Sequence, residues 1–412
     1  MRPRATAAGA TGRGGRRERI EPLAVFLLTL AAAMSTTASA VGLQRTSLLG
    51  AYFDGHVYIE IARSFPLPYA PEARGYLGHA PGFSALLWAA RLLTFGAIDW
   101  GTLSTALTWL TAAAAAVVFH GVCRETDVPP AAATACFAAA NPAWLLCAAS
   151  PHPEPLAMTF ALLCLRAHLR GALGASMLWL ALAALTRFPA ILVGAALAFD
   201  LVVVQRRLGP RTLAWLALPP IALALHQLYL FARIPGFEGI WAAHDTHWQT
   251  RLTWPFAELV RYGVRTETFA SIHHRIVYAF VPVYLGAIAF GFRRAERRLW
   301  VLPAWMAAVV VFHASLSGEE GVGDFMRLAL LAWPALVIVC WRGLGSARGR
   351  AVALAATALA GALGLWHVSH QIPEAVAIQD RLPWMQWVVP RLDADAPVWI
   401  DFDLGRPSTP AR

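Results

Sequence analysis

The chain has 412 residues, of which 58% are hydrophobic and only 14% charged, whereas a soluble domain carries about 25% charged residues; a water-soluble globular protein is excluded. The formal charge of +10 comes from arginine alone, since the sequence contains no lysine. An arginine bias beside abundant alanine is as much a compositional habit as a functional one, so it makes no case for nucleic acid.

Residues 1–22 are rich in Arg and Gly and read as a cytoplasmic basic N-terminus. The apolar run Leu23 to Leu43 has roughly the 20 residues that cross a bilayer as a helix. Its basic flank, short core Leu23 to Met34 and small residues Ala38-Ser39-Ala40 also resemble a signal peptide with its cleavage site. Both readings put the next segment outside the cytoplasm. That first external loop, 44–100, holds Asp54, Glu60, His79 and the stretch Phe65 to Pro71, whose prolines forbid one continuous helix. Within it Phe83 to Phe95 is short, apolar and carries Arg91, the pattern of an amphipathic helix lying in the interface.

Further spans are expected over Leu103 to Val122, Pro130 to Ala149, Pro155 to Leu169, Ala172 to Thr186 and Pro189 to Val204. Beyond these come Leu213 to Phe231, Ile276 to Phe292, Leu299 to Leu316, Phe325 to Trp341 and Ala351 to His367, about eleven spans in all. A second external loop, 234–275, contains Trp241, His244, His247, Trp248, Trp254, His273 and His274. A tail, 371–412, carries Trp384, Trp387 and Trp399. Cys123, Cys136, Cys147, Cys164 and Cys340 lie in or beside apolar runs without a C-x-x-C pair, which suits small core hydrophobes better than disulfides or zinc ligands. The expectation is an all-α polytopic membrane protein whose transmembrane domain spans 23–370.

Cytoplasmic loops of such proteins are enriched in positive residues, which tests the sidedness. The topology places more than half of the 34 arginines in the cytoplasm and most of the 24 acids outside. Polar residues at the edges of apolar runs then gather at the external face: Asp54 and Glu60, His152 and Glu154 in Ser150-Pro151-His152-Pro153-Glu154, Arg187 in Thr186-Arg187-Phe188-Pro189, and Glu319, Glu320, Asp324 and Arg327. Ionisable residues at membrane depth are costly and point to function. Each also has a plainer account. Asp54 could cap the helix that follows it, Arg187 could snorkel or pair with Glu154, Glu319 and Glu320 suit a solvated turn, and Asp324 could pair with Arg327 three residues on.

The segment Tyr52-Phe53-Asp54-Gly55-His56-Val57-Tyr58-Ile59-Glu60-Ile61-Ala62 resembles the Asp-Gly-x-x-Tyr-x-x-Ile-Ala pattern of the C-type membrane glycosyltransferases, the GT-C fold, and within them the polyprenyl-phosphate-mannose dependent mannosyltransferases. Pro81-Gly82-Phe83 through Arg91 is similar to that family's interfacial helix. Pro153-Glu154-Pro155-Leu156 and Leu185-Thr186-Arg187-Phe188-Pro189 are similar to its acidic and arginine turns, without the final Gly of the latter. The likeness is plain over about 20–205 and faint over 325–336. The family's second acid, in Asp-x-Asp, is replaced here by His56; one carboxylate and one His are thin for a hard cation, so no metal and no cofactor is assigned.

The resemblance implies an inverting transfer of a sugar, a mannose-like hexose, from a polyprenyl-phosphate donor to an extracytoplasmic lipid or glycan acceptor at a bacterial plasma membrane. Asp54 would be the general base, Arg187 and then Arg327 would meet the leaving phosphate, and His56, Glu60, His152 and Glu154 would help to bind substrate. No G-x-G-x-x-G or Walker-type loop is present, which argues against a nucleotide donor. Two rivals are a polytopic transporter or lipid flippase of envelope glycan precursors, and an inert scaffold. A transporter is expected to show mid-membrane ionisable sites and matching halves, and the sequence has neither pattern.

Overall fold

The computed structural model describes residues 13–42, 45–65, 76–248, 250–263, 272–317, 325–382, 385–391, 400–401 and 406–407. They are helical nearly throughout, apart from an antiparallel pair of two-residue strands, β1 (Ile400–Asp401) and β2 (Arg406–Pro407).

The first apolar run lies in α1 (Arg13–Val41), which is stitched into the bundle: Thr37 Oγ1 donates to the Ala149 carbonyl at 2.6 Å and accepts from Trp109 Nε1 at 3.1 Å. The first external loop supplies α2 (Gly55–Ser64) and α3 (Gly82–Leu93). As the amphipathic pattern predicts, α3 buries Phe83 and Leu87 and exposes Leu92 and Leu93. Next, α4 (Trp100–Glu125) has 26 residues, a rod of about 39 Å.

Where one span was expected over Pro130 to Ala149, the chain forms α5 (Pro130–Ala139) and α6 (Pro142–Ala149), bent by 75°. Asn141-Pro142 is the cause. Proline has no N–H and pushes the residue before it out of the helical region; Asn141 is extended, and its side chain accepts from the Ala143 and Trp144 amides, starting a new helix. After α7 (Glu154–Leu169) and α8 (Leu173–Thr186), a break at Arg187-Phe188-Pro189 leads to α9 (Ile191–Phe199). The span expected over Leu213 to Phe231 is likewise two pieces, α10 (Pro210–Leu216) and α11 (Leu218–Arg233), bent by 42° near Pro219-Pro220.

The second external loop contains α12 (Ile240–Trp248) and α13 (Ala257–Gly263). Four longer helices follow, α14 (Ile272–Arg294), α15 (Val301–His313), α16 (Phe325–Gly343) and α17 (Ala347–Gln379), and then a single-turn helix, Met385–Val388. Helix α17 runs past its expected end at His367, through Pro373 to Gln379, so the tail begins later than residue 371.

Among the described residues, four helices are long and apolar enough to cross a membrane, or six if each bent pair is one span. Gly82–Leu93, Leu173–Thr186 and Phe188–Val204 are apolar but shorter, at 10–17 residues. The class is an all-α polytopic membrane protein. Its centre is close-packed: Ala112, Ala113, Ala115 and Ala116 of α4 are fully buried, and Phe119 stacks on Phe137 at 4.5 Å, which in turn meets Trp144 at 4.7 Å. Leu225 and Leu228 of α11 and Leu359 and Leu363 of α17 are exposed, as suits helices bathed in lipid tails.

Candidate active site

Four helix termini meet at one end of the bundle: α4 and α7 begin there, α8 ends there, and α16 begins there. Close backbone approach holds the Asp54 loop in place. A Cβ on Gly101, in the first turn of α4, would lie 1.9 Å from the Ser47 carbonyl oxygen, and one on Gly82 would lie 2.5 Å from Thr186 Oγ1. Any larger residue at either position would force the loop or α3 away. Phe53 has φ of 54°, a left-handed conformation that costs a non-glycine residue about 1 kcal/mol or more. It turns the chain directly before Asp54.

Asp54 occupies the N-cap position of α2, yet its side chain makes no capping bond. Its carboxylate instead accepts from Arg327 Nη2 at 2.6 Å, while Arg327 Nε donates to Glu154 Oε1 at 3.0 Å. Arg187 Nη2 approaches the same Glu154 oxygen at 3.3 Å. One chain of alternating charge therefore runs Asp54, Arg327, Glu154, Arg187, with two anions and two cations. The positions follow from local structure. Glu154 opens α7 behind Pro153, and Arg187 is extended at the C-terminus of α8, so its side chain leaves the helix pattern and turns inward. Arg327 stands in the first turn of α16.

Burial by itself would raise the Asp54 carboxyl, but the Arg327 guanidinium, helped by His79, His152 and Arg187, outweighs it and holds the group well below the usual carboxylate range. The neighbouring imidazoles lose their protons more readily than a free histidine does: desolvation depresses His56, His79 and His244 to about 4 in spite of Asp54 beside the first two. All three are neutral at pH 7.

A cavity of about 590 Å³ opens on this network, within the size range of small-molecule sites. Asp54, Arg187 and Arg327 line it together with Tyr58 and His79. Phe188, Ile191, Leu192, Leu223 and Leu328 give the lining much of its apolar surface, and Gln227, Glu238, Trp241, His244 and His313 contribute to it as well. Glu154 lies behind Arg187 and Arg327, against a void of about 10 Å³.

Of the residues singled out in the sequence, Asp54, Arg187 and Arg327 face the cavity and Glu154 buttresses them. His152 is fully buried behind Phe53, with ring centroids 5.5 Å apart and Nδ1 3.0 Å from Ser150 Oγ. His56 is buried edge-on to Tyr76, and Glu60 is buried with Arg63 at 2.5 Å; neither lines the cavity. Glu319, Glu320 and Asp324 lie outside the described residues, as do Trp384 and Trp399 and the side chains of His247, Trp248, His273, His274 and Trp387. The sequence patterns do not single out His313, Gln227 or Glu238. For His313 a signal exists, an ionisable residue near the end of an apolar run. Among the described residues, no group of three or more His, Cys, Asp or Glu gathers as a metal site would require.

The fold is of the GT-C type, a polytopic helical membrane architecture. In particular, the chain is similar to the crystal structure of ArnT from Cupriavidus metallidurans bound to undecaprenyl phosphate, with a TM-score of 0.51 and 18% identity over 93% of this chain and 75% of that one. That likeness is one of fold. No protein-family model and no curated protein sequence matches the chain.

Proposed function

We propose that the protein is an integral membrane glycosyltransferase that moves a sugar from a polyprenyl-phosphate donor to a lipid or glycan acceptor, with inversion, at the extracytoplasmic face of a bacterial plasma membrane. The observation that supports this reading is the joint placement of one carboxylate and two guanidiniums on the lining of a cavity that Phe188, Ile191, Leu192, Leu223 and Leu328 also line. A phosphate attached to a long hydrocarbon needs such a site, with cations for its head and oily side chains for its tail. The sequence resemblance points to a mannose-like hexose, and the ArnT structure was solved with undecaprenyl phosphate.

In this mechanism the acceptor hydroxyl oxygen attacks the anomeric carbon and its proton passes to Asp54. The bond from that carbon to the phosphate oxygen breaks, and its electron pair stays on the polyprenyl phosphate, where Arg187 and Arg327 stabilise the charge. The resting network is balanced in charge, so an arriving phosphate must compete with Asp54 for Arg327. Binding of the donor then draws Arg327 off Asp54, and the carboxylate becomes a stronger base at the moment it is needed.

Membranes supplied with a panel of labelled polyprenyl-phosphate sugars, mannose first, test this. Wild type is expected to move label to lipid or glycan, and Asp54→Asn to lose transfer by about 10²- to 10⁴-fold, the usual worth of a positioned base. Asp54→Asn should also bind undecaprenyl phosphate more tightly, because Arg327 has lost its competitor. Equal transfer by the variant removes Asp54 as the base. Absence of transfer in wild type with every donor, combined with movement of intact lipid-linked sugar across the bilayer, would convert the protein into a flippase.

A further inference from the structure

Helix α17 is far longer than a span requires. Its 33 residues extend about 50 Å, against roughly 30 Å of bilayer core. The two parts of the helix differ in surroundings. Leu359 and Leu363 are exposed, whereas Val368 and Ile372 are fully buried against Leu49, Leu145 and Ala149, beneath the Asp54 loop. The helix ends on that loop. The Phe53 amide donates to Gln379 Oε1 at 3.0 Å, and Tyr52 Oη donates to Asp380 Oδ1 at 2.5 Å. Two bonds from consecutive residues of one helix end thus seize the two residues that precede Asp54, and one of them fixes the backbone of Phe53 at its left-handed φ of 54°.

Helix α2 itself does not do this job. Asp54 makes no side-chain capping bond, and the amide of Phe53 finds its acceptor 326 residues away. A left-handed phenylalanine persists only where its surroundings over-determine it. Packing adds to the restraint on Phe53, through the His152 ring and through the apolar cluster that Val368 and Ile372 of α17 help to form.

We propose that Gln379 and Asp380 are positioning residues for the transfer reaction: the last turn of α17 clamps Tyr52 and Phe53 and so aims the Asp54 carboxylate at Arg327 and the cavity. This rests on the reading of Asp54 as the base. It assigns the over-long part of α17 to the active site, where the sequence suggests only a tail.

The test uses full-length protein in nanodiscs: wild type, Gln379→Leu, Gln379→Glu and Tyr52→Phe. Hydrogen exchange of the Phe53 amide reads the clamp without any turnover. Gln379→Leu removes the acceptor and should speed exchange about tenfold, the worth of one hydrogen bond, while Gln379→Glu keeps an acceptor oxygen and should match wild type. In transfer assays Gln379→Leu is expected to lower kcat about tenfold or more, as a misaimed catalytic group does. KM for the lipid-linked sugar should stay within about twofold, because the arginines that bind phosphate are untouched. Gln379→Glu should restore kcat, and Tyr52→Phe should show a smaller loss of the same kind. Unchanged Phe53 exchange in Gln379→Leu overturns the clamp, and so does faster exchange with unchanged kcat. A wild type that transfers no sugar overturns the glycosyltransferase reading instead, and the positioning role with it, while the exchange measurement still separates that failure from failure of the clamp itself.

Discussion

Both ends of the bundle carry arginine–carboxylate pairs, and they differ in what surrounds them. At the Asp54 end, the side chains of Asp54, Arg327 and Glu154 are 22%, 20% and 6% exposed, and one chain of contacts joins them to Arg187 on a cavity wall. At the other end, Arg170 pairs with Glu125 while 53% exposed, and Arg298 reaches Glu296 and Asp127 while 58% exposed. Solvated pairs of that kind contribute about 0–1 kcal/mol and are screened by salt. Desolvated charges are a different matter, since removing one partner strands the other. The same residue types therefore form solvated pairs at one end and a desolvated network at the other, and the difference lies in burial and the cavity.

The sharpest break in this contrast is Arg327→Ala. It removes the guanidinium that touches both Asp54 and Glu154, strips Asp54 of that cation and, in the proposed mechanism, removes a phosphate ligand from the cavity. Transfer of labelled sugar should fall by about 10³-fold, the upper range for loss of a single charge-stabilising donor. The folded protein should also lose about 2 kcal/mol or more, visible as a lower midpoint in thermal unfolding. Arg327→Lys should recover little, because a point charge cannot span two carboxylates as the planar fork does. Transfer at the wild-type rate by Arg327→Ala would reduce the buried network to a structural feature.

Glu154→Gln should come next. Glu154 does not line the large cavity; it holds Arg187 and Arg327 from behind. Neutralising it leaves both guanidiniums present but less firmly aimed, so kcat should fall by about tenfold to a hundredfold. Phosphate binding should not weaken, since two cations would then answer to one fewer anion. A loss confined to binding would place Glu154 in contact with substrate instead.

Much of this site is legible in the sequence. Counting arginines by side puts Asp54, Glu154, Arg187 and Arg327 on one face, and the fold brings these four into contact. Helix geometry hides the rest. Asp54, His56 and Glu60 look like one polar cluster in the sequence, but α2 starts at Gly55, and a helix sends residues two and six positions apart to different faces. Tyr58, four residues after Asp54, is the one that reaches the cavity. Glu60 meets Arg63 at the spacing of three that favours such pairs. Among the spans, composition marks the apolar runs well, whereas it does not show that Asn141-Pro142 folds one of them back by 75°, since a proline inside an apolar run reads equally as a kink or a stop.

Acid should also distinguish the two ends, more gently. His79 and His244 at the cavity, with His56 behind it, are held neutral to about pH 4, against 6.5 for a free imidazole. Between those values the unfolded chain binds protons that the folded chain refuses, so stability should fall as pH drops from about 6.5 to about 4 and level off below. Asp54 acts in the opposite window: its depressed carboxyl supports the fold above the ordinary range near 3.8, and that support is lost only in stronger acid. Unfolding midpoints in nanodiscs at pH 7, 5 and 4 measure this, and a His79→Gln, His244→Gln double variant should flatten the slope. An unchanged slope would mean that these imidazoles take up protons in the folded state.

The smallest effect is expected at the opposite end, and it is the control on which the contrast depends. Arg170 Nε and Nη2 both reach Glu125 Oε1, at 2.8 and 2.5 Å, so by distance alone this contact rivals the one between Arg327 and Asp54. Distance is the wrong measure. With half of its side chain in solvent, Arg170 can exchange the carboxylate for water and ions at little cost, and Glu125 is left hydrated when its partner goes. Arg170→Gln should therefore shift stability by less than about 1 kcal/mol, lose even that at high salt, and leave transfer and lipid binding unchanged. A large loss of transfer from Arg170→Gln would show that the two ends are coupled through α7, the helix that begins at Glu154 and ends beside Arg170.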